Sequence, residues 1–415
     1  MAMIRPEIEM KDTGIEWLGN IPKNWKLDKA KRLFSERNEK GNNIDLQILT
    51  PSQKYGVLPQ TRYQEITGTK PVQVSEDKDL SSFRTVHRGD FCISLSSYMG
   101  GFEYSNFEGV ISPAYHAFYK ISSKVNNTYF KYLFKSETFI DEINMITPKS
   151  VRIGRNTSFV NFGQVYLPIP PLSEQQSIAD YLDKNCSKID EIIAEAKASI
   201  YEYKELKIAK INKYTVHKIK RTKLKYISEK IGDGIHTTPE YSDRGTIRFI
   251  NGGSFGEDSI KMIGPMLSNE EYQKQNRSLL NEHTIMIALN GANFGNTSLY
   301  NNEDILLGKS AGYITLKSAA CREYVRYCLE NSVTKEAFDL SLNGTTIPNL
   351  SLNTLRNIEI CLPDYSVQKQ LVKTIKKMII KIDSLITEKE SLINDLEAYK
   401  KSLIYEVVTG KRRVV

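Results

Sequence analysis

No run of about 18 apolar residues occurs in this chain, so no membrane-spanning helix is expected. The N-terminus has no apolar core behind its first charges, so no signal peptide is expected either. Cysteine is scarce: Cys92, Cys186, Cys321, Cys328 and Cys361 form an odd, scattered set without a CxxC pair. That spacing argues against a disulfide framework or a zinc site. Cys321 and Cys328 flank Tyr324 and fit one buried helical face. The five histidines, His87, His116, His217, His236 and His283, have no ligand spacing to one another or to cysteine. No metal is expected on these grounds, and a reducing, cytoplasmic setting fits.

Catalytic motifs are lacking too. Pro363-Asp364 begins like a nuclease motif, but no Asp/Glu-x-Lys follows within the next 30 or so residues, and Pro-Asp is routine at a helix start. Gly232-Asp233-Gly234 is a lone GxG, with Thr237 where a third glycine would stand. Gly410-Lys411 has neither the upstream glycine nor the following Ser/Thr of a phosphate loop. The Asn/Asp-Pro-Pro-aromatic tetrapeptide of an adenine methyltransferase does not occur. The chain is therefore read as non-enzymatic, with no cofactor of its own.

What is present is 415 residues, 40% hydrophobic and 26% charged, with a formal charge of +8. That length suggests two or three domains. The charge favours a polyanionic partner without proving one.

The most legible stretch runs from Ser173 to Lys218. Pro170-Pro171 stops what precedes it, and Ser173 with Gln176 has the spacing of a capping box. Asp183 to Cys186 weakens the apolar pattern, and Ser187 with Asp190 suggests a fresh N-cap. Ile189, Ile193, Ala196, Ile200 and Tyr203 then recur at steps of four and three, the spacing of a helix–helix seam. A helix from Ser187 to His217 would run roughly 45 Å.

The seam has a partner within the chain. At a shift of 193 positions Pro170 falls on Pro363, Ser173 on Ser366, Gln175 on Gln368 and Lys188-Ile189-Asp190 on Lys381-Ile382-Asp383. Ile193, Ile200, Lys207 and Ile211 fall on Ile386, Ile393, Lys400 and Ile404. The chain is a duplication. Its expected seam packs Ile189, Ile193 and Ile200 antiparallel against Ile382, Ile386, Ile393 and Leu396.

The regions before the two helices repeat more faintly. Phe91-Cys92-Ile93 aligns with Thr284-Ile285-Met286, and Tyr129-Phe130-Lys131-Tyr132 with Tyr324-Val325-Arg326-Tyr327. A short helix is expected over 29–37, and strands at 91–95 and 117–121. Trp17 and Trp25, the only two tryptophans, are expected to pin an irregular N-terminal arm onto the body. The fold class is thus α/β (α+β). Two mixed α/β domains are joined by two long antiparallel helices forming a coiled coil, with pseudo-twofold internal duplication. The boundaries are 1–168, 169–221, 222–362 and 363–415.

Polar, glycine-containing loops are the remaining candidates for function. Amide and guanidinium groups can pair with base edges, and hydroxyls and lysines with phosphates. The candidate DNA contacts are Lys54, Tyr55, Ser97, Tyr98, Lys149, Arg152 and Arg155 in the first half. In the second they are Asp233, His236, Thr237, Asn251, Asn290, Asn293, Asn343 and Thr345.

Three stretches carry a family resemblance. They are Gly14-Ile15-Glu16-Trp17-Leu18-Gly19-Asn20-Ile21-Pro22 with Trp25, then Leu167 to Ile178, then Tyr405-Glu406-Val407-Val408-Thr409-Gly410-Lys411. Together the chain resembles the specificity subunit of a type I restriction–modification system. The second copy departs from the pattern, since Val367-Gln368-Lys369 stands where the first has Glu174-Gln175-Gln176. The resemblance implies two target-recognition domains, each reading half of a bipartite double-stranded DNA site, with the helices setting the spacer. It implies a subunit without catalysis that docks two modification (methyltransferase) subunits, which carry S-adenosylmethionine and methylate adenine. Restriction subunits join in the holoenzyme, a defence complex. The competing reading is a coiled-coil interaction scaffold with no DNA role, and an enzyme with an unrecognised site is a third.

Overall fold

The computed structural model describes residues 3–40, 46–71, 80–94, 101–147, 157–216, 221–256, 259–291, 293–341 and 349–414. Two compact units emerge: residues 1–195 with 392–415, and residues 196–391. Among the described residues no helix is long and apolar enough to cross a membrane.

In the first unit the centre is a four-stranded antiparallel sheet. Its order is Phe102–Tyr104, Phe91–Ile93, His116–Lys120, Phe34–Glu36. The second unit repeats it as Thr297–Leu299, Thr284–Ala288, Ala311–Leu316, Ser228–Asp233. Each sheet packs under a pair of helices, Asn127–Leu133 and Glu137–Ile146 in one, Arg322–Glu330 and Ser332–Leu340 in the other. A two-stranded ribbon recurs as well, Lys26–Lys29 with Tyr166–Ile169 and Arg221–Lys223 with Glu359–Cys361.

The two cores are filled differently. The first is aromatic: Phe34, Phe91, Phe118, Phe134 and Phe139 are all fully buried, with Phe91 and Phe118 stacked 5.3 Å apart. The second is aliphatic, built on Ile285, Ile287, Ile314, Val325 and Leu329. One backbone plan thus accepts two sets of apolar volumes, as expected where hydrophobicity and size matter more than identity.

The long helices run Leu172–Thr215 and Tyr365–Val408, 44 residues each. The first starts at Leu172, one residue before the expected N-cap, because the Pro171 carbonyl already accepts from Gln175 N at 2.9 Å. Gln176 does not reach back; it accepts from Asn126 Nδ2 and donates to Asp180, 2.8 and 2.7 Å away. Nor does the helix break at residues 183–186. Asp183 accepts from the Tyr132 hydroxyl, Asn185 bonds the Tyr181 carbonyl at 2.7 Å, and Cys186 is buried. The short helix expected over 29–37 covers only Ala30–Leu33, since Phe34 enters the sheet.

Within each unit the two helical stretches lie antiparallel, and their register is marked by ion pairs. Lys400 Nζ reaches Asp190 at 2.7 Å in the first unit, and Lys207 Nζ reaches Asp383 at 2.9 Å in the second. These two pairs are images of each other under the 193-residue shift. Of the seam residues, Ile189, Ile193, Ile393 and Leu396 belong to the first unit, and Ile200, Ile382 and Ile386 to the second. Ile189, Ile193, Ile382 and Ile393 are buried, whereas Ile200, Ile386 and Leu396 are partly covered.

Each helix start is locked by one buried glutamine. Gln175 donates to the Pro170 and Lys124 carbonyls and accepts from Asn126 N, each at 2.8 Å. Its counterpart Gln368 donates to the Pro363 carbonyl and accepts from Cys321 N.

The N-terminal arm is held by its two tryptophans. Trp17 meets Phe139 edge-on, and Trp25 Nε1 donates to Glu174 at 3.0 Å. Gly410 sits at φ +74° against the arm, where a Cβ would lie 2.4 Å from the Pro22 ring. Residues Met3–Ile4 pair antiparallel with Arg412–Arg413, and Arg413 also bonds Glu9.

Candidate nucleic-acid interface

In the second unit, four polar loops meet along one edge of the body, and Ser310 is their hub. Its hydroxyl donates to Asn251 Oδ1 at 3.1 Å and accepts from Gly252 N at 2.9 Å. Its carbonyl accepts from Leu289 N at 2.9 Å, just before Asn290. Asn290 pairs with Asn349, and Asn293 Nδ2 donates to the Gly253 carbonyl at 3.0 Å. Ile235 bridges to Gly308, which brings in the loop carrying Asp233, His236 and Thr237.

Glycine is needed where these loops touch. A Cβ on Gly234 would lie 2.1 Å from the Leu307 carbonyl, and one on Gly308 would lie 2.3 Å from Asn251 Oδ1. Only a residue without a side chain lets the backbones approach so closely.

The edge displays hydrogen-bond donors and acceptors. His236 is exposed, with Nε2 2.9 Å from Asp233 Oδ2. Thr237 donates to Gln275 Oε1 at 3.4 Å. Asn251 is exposed, and Asn290 and Asn293 are half-buried. Such amides, a hydroxyl and an imidazole match the mixed donor–acceptor pattern of a DNA groove. Asp233, His236, Asn251, Asn290 and Asn293 are thus brought to one edge, with Thr237 at its margin. Asn343 and Thr345 lie outside the described residues.

The sequence reading passed over Lys309 and Ser310. Lys309 is exposed beside Ser310. The signal was a glycine-led polar turn, Gly308-Lys309-Ser310, between two apolar strands.

In the first unit, Lys54 and Tyr55 form the turn between strands Leu49–Ser52 and Gly56–Pro59. Lys54 Nζ lies 5.2 Å from the Tyr55 ring centre, and Tyr55 is 6.4 Å from Tyr63. Both are exposed. Ser97, Tyr98, Lys149, Arg152 and Arg155 lie outside the described residues.

Comparison with known proteins gives the same outline. The model of the type I restriction modification DNA specificity domain matches twice, over residues 19–202 and 216–395. The chain is similar to the specificity subunit of the type I restriction enzyme MjaVIII of Methanocaldococcus jannaschii, with 25% identity over 276 residues. That match covers 61% of this chain and 63% of the relative, so the chain spans under two thirds of its length. Two solved structures share the fold. One, from work on complex assembly and conformational transition of the type I R-M system, has a TM-score of 0.74 at 14% identity and covers 94% of this chain and 99% of its own. The other, the HsdS subunit from Thermoanaerobacter tengcongensis, has a TM-score of 0.53 at 12% identity, with coverage of 94% and 98%.

Proposed function

Since the chain belongs to the type I restriction–modification DNA specificity family, we propose that it is the sequence-recognition subunit of such a complex. Each globular domain reads one half of a bipartite site on double-stranded DNA. The observation that carries this reading is the edge organised by Ser310, where the loops of His236, Asn251, Asn290 and Asn293 converge and present amide and imidazole groups. The boundaries 1–168, 169–221, 222–362 and 363–415 separate reading domains from helical regions on this proposal, and the helices set the spacer between half-sites.

The chain itself catalyses nothing on this reading. Methyl transfer to adenine belongs to two modification subunits, which hold S-adenosylmethionine, and cleavage belongs to restriction subunits of the holoenzyme, all in the cytoplasm. The modification subunits dock on the long helices. Supporting this are apolar side chains exposed there in matched positions: Ile192 and Tyr399 in the first unit, Leu385 and Leu206 in the second. Ile192 falls on Leu385 and Leu206 on Tyr399 under the duplication.

Genome-wide mapping of methylated adenines, with and without this gene, tests the proposal. The expected result is one bipartite motif that vanishes on deletion. A methylation pattern indifferent to the gene would overturn it. Purified with its modification subunit, the chain should also bind DNA with an affinity that falls steeply with salt, as phosphate contacts release counterions.

A further inference from the structure

Two asparagines on the Ser310 edge of the second unit have their amides fixed in opposite senses. Asn251 stands at the N-cap of the short turn Gly252–Ser254. An asparagine there ordinarily turns its oxygen back to a backbone N–H of the turn. This one makes no such bond. Its Oδ1 accepts instead from the Ser310 hydroxyl at 3.1 Å, while that hydroxyl accepts from Gly252 N at 2.9 Å. A serine hydroxyl has a single proton, and here Oδ1 receives it. The reversed amide would leave that proton without an acceptor. Asn251 is exposed, and its Nδ2 has no hydrogen-bond partner among the described residues.

Asn293, on the neighbouring loop, is fixed the other way. Its Nδ2 donates to the Gly253 carbonyl at 3.0 Å. A carbonyl only accepts, so the amide nitrogen has to face it. Oδ1 is the end left on offer. Phe294 anchors that loop, with its ring 6.4 Å from Phe338. Gly253, which links the two asparagines, is exposed, and a Cβ there would meet nothing within 4 Å. The surface beside both amides is open to a partner.

A freely turning amide satisfies a donor or an acceptor equally well, so it discriminates poorly between bases. An amide with one end committed offers only the other. Asn251 offers N–H groups, which suit guanine O6 or N7, thymine O4 or adenine N7. Asn293 offers an oxygen, which suits the exocyclic amino group of adenine or cytosine.

We propose that Ser310 is a positioning residue for base reading. By holding Asn251 Oδ1 it presents the Asn251 amide as a donor, so that Asn251 selects a base acceptor while Asn293 selects a base amino group within the same half-site. This rests on the function proposed above and deepens it: it assigns a hydrogen-bond polarity to two reading positions.

The test uses the full chain with its purified modification subunit acting on unmethylated genomic DNA, read by mapping methylated adenines. Asn251→Asp keeps the Ser310 bond but offers only acceptors. It should invert the preference at one position of one half-site, from a base acceptor to a base amino group. Asn293→Ala should relax a second position of that half-site. Ser310→Ala should lower discrimination at the Asn251 position about tenfold, leaving the Asn293 position and the other half-site as they are. Ser310→Thr keeps the hydroxyl and should restore it. A merely structural role for Ser310 would blur the Asn293 position too, because Gly253 joins the loops, and that result would overturn the proposal. So would an unaltered preference in Asn251→Asp, an exposed site whose result decides alone if Ser310→Ala lowers the unfolding midpoint. Either outcome leaves the specificity-subunit reading standing, since the wild type still methylates a bipartite motif. A wild type that directs methylation to no motif would overturn both.

Discussion

Gln175 and Gln368 show what single residues do here. Each amide is buried and spends its donors and acceptor on backbone groups at a helix start. Leucine at either position fills the volume but orphans the Asn126 or Cys321 N–H and the proline carbonyls. Gln175→Leu and Gln368→Leu should each cost about 1–3 kcal/mol, read as a lower denaturant midpoint at constant slope. An unaltered midpoint would show that neither amide matters. His87 illustrates charge. Burial alone would lower its pKa, but hydrogen bonds to Glu39 and Glu108 outweigh burial and raise it. The extra stability is therefore complete below the unfolded value of about 6.5 and fades as pH rises through the higher folded value. Unfolding midpoints of wild type and His87→Gln should differ at pH 5.5 and converge by pH 9; a constant difference would refute the linkage.

At the scale of elements, the long helices owe their length to tertiary cover rather than to a perfect apolar repeat. The weak segment at residues 183–186 stays helical because the body supplies partners to Asp183 and buries Cys186. Ile193 is only 8% exposed, in a stretch whose register is marked by Asp190 and Lys400. Ile193→Asp buries a carboxylate without a partner and should cost several kcal/mol. Thermal unfolding and co-purification with the modification subunit read this out; a soluble variant with an unchanged midpoint and normal complex formation would refute the seam. Breaking the exposed Lys400–Asp190 pair should cost only about 0.2–1 kcal/mol, because water screens it.

For the whole molecule, duplication separates what must be kept from what can vary. The sheet order, the ribbon and the buried glutamines recur in both units, whereas the cores and loops differ. Exchanging residues 222–355 for those of a relative should change one half of the methylated motif and leave the other. Methylation mapping reads this directly, and a change in both halves, or in neither, would rule out independent reading domains.

Periodicity and repeat by themselves determined the two long helices, their antiparallel direction and the duplication. These are local patterns of apolar spacing, which survive without knowledge of what they touch. The tryptophan-pinned arm was legible as well, since an indole needs cover wherever it sits. Only the tertiary structure decided that the helix passes unbroken through residues 183–186, that Phe34 leaves its helix for the sheet, and that Ser310 gathers four loops. Each of those outcomes depends on partners far away in sequence: Tyr132 for Asp183, Tyr119 for Ser35, and Asn251 and Leu289 for Ser310. No window along the chain contains both members of such a pair.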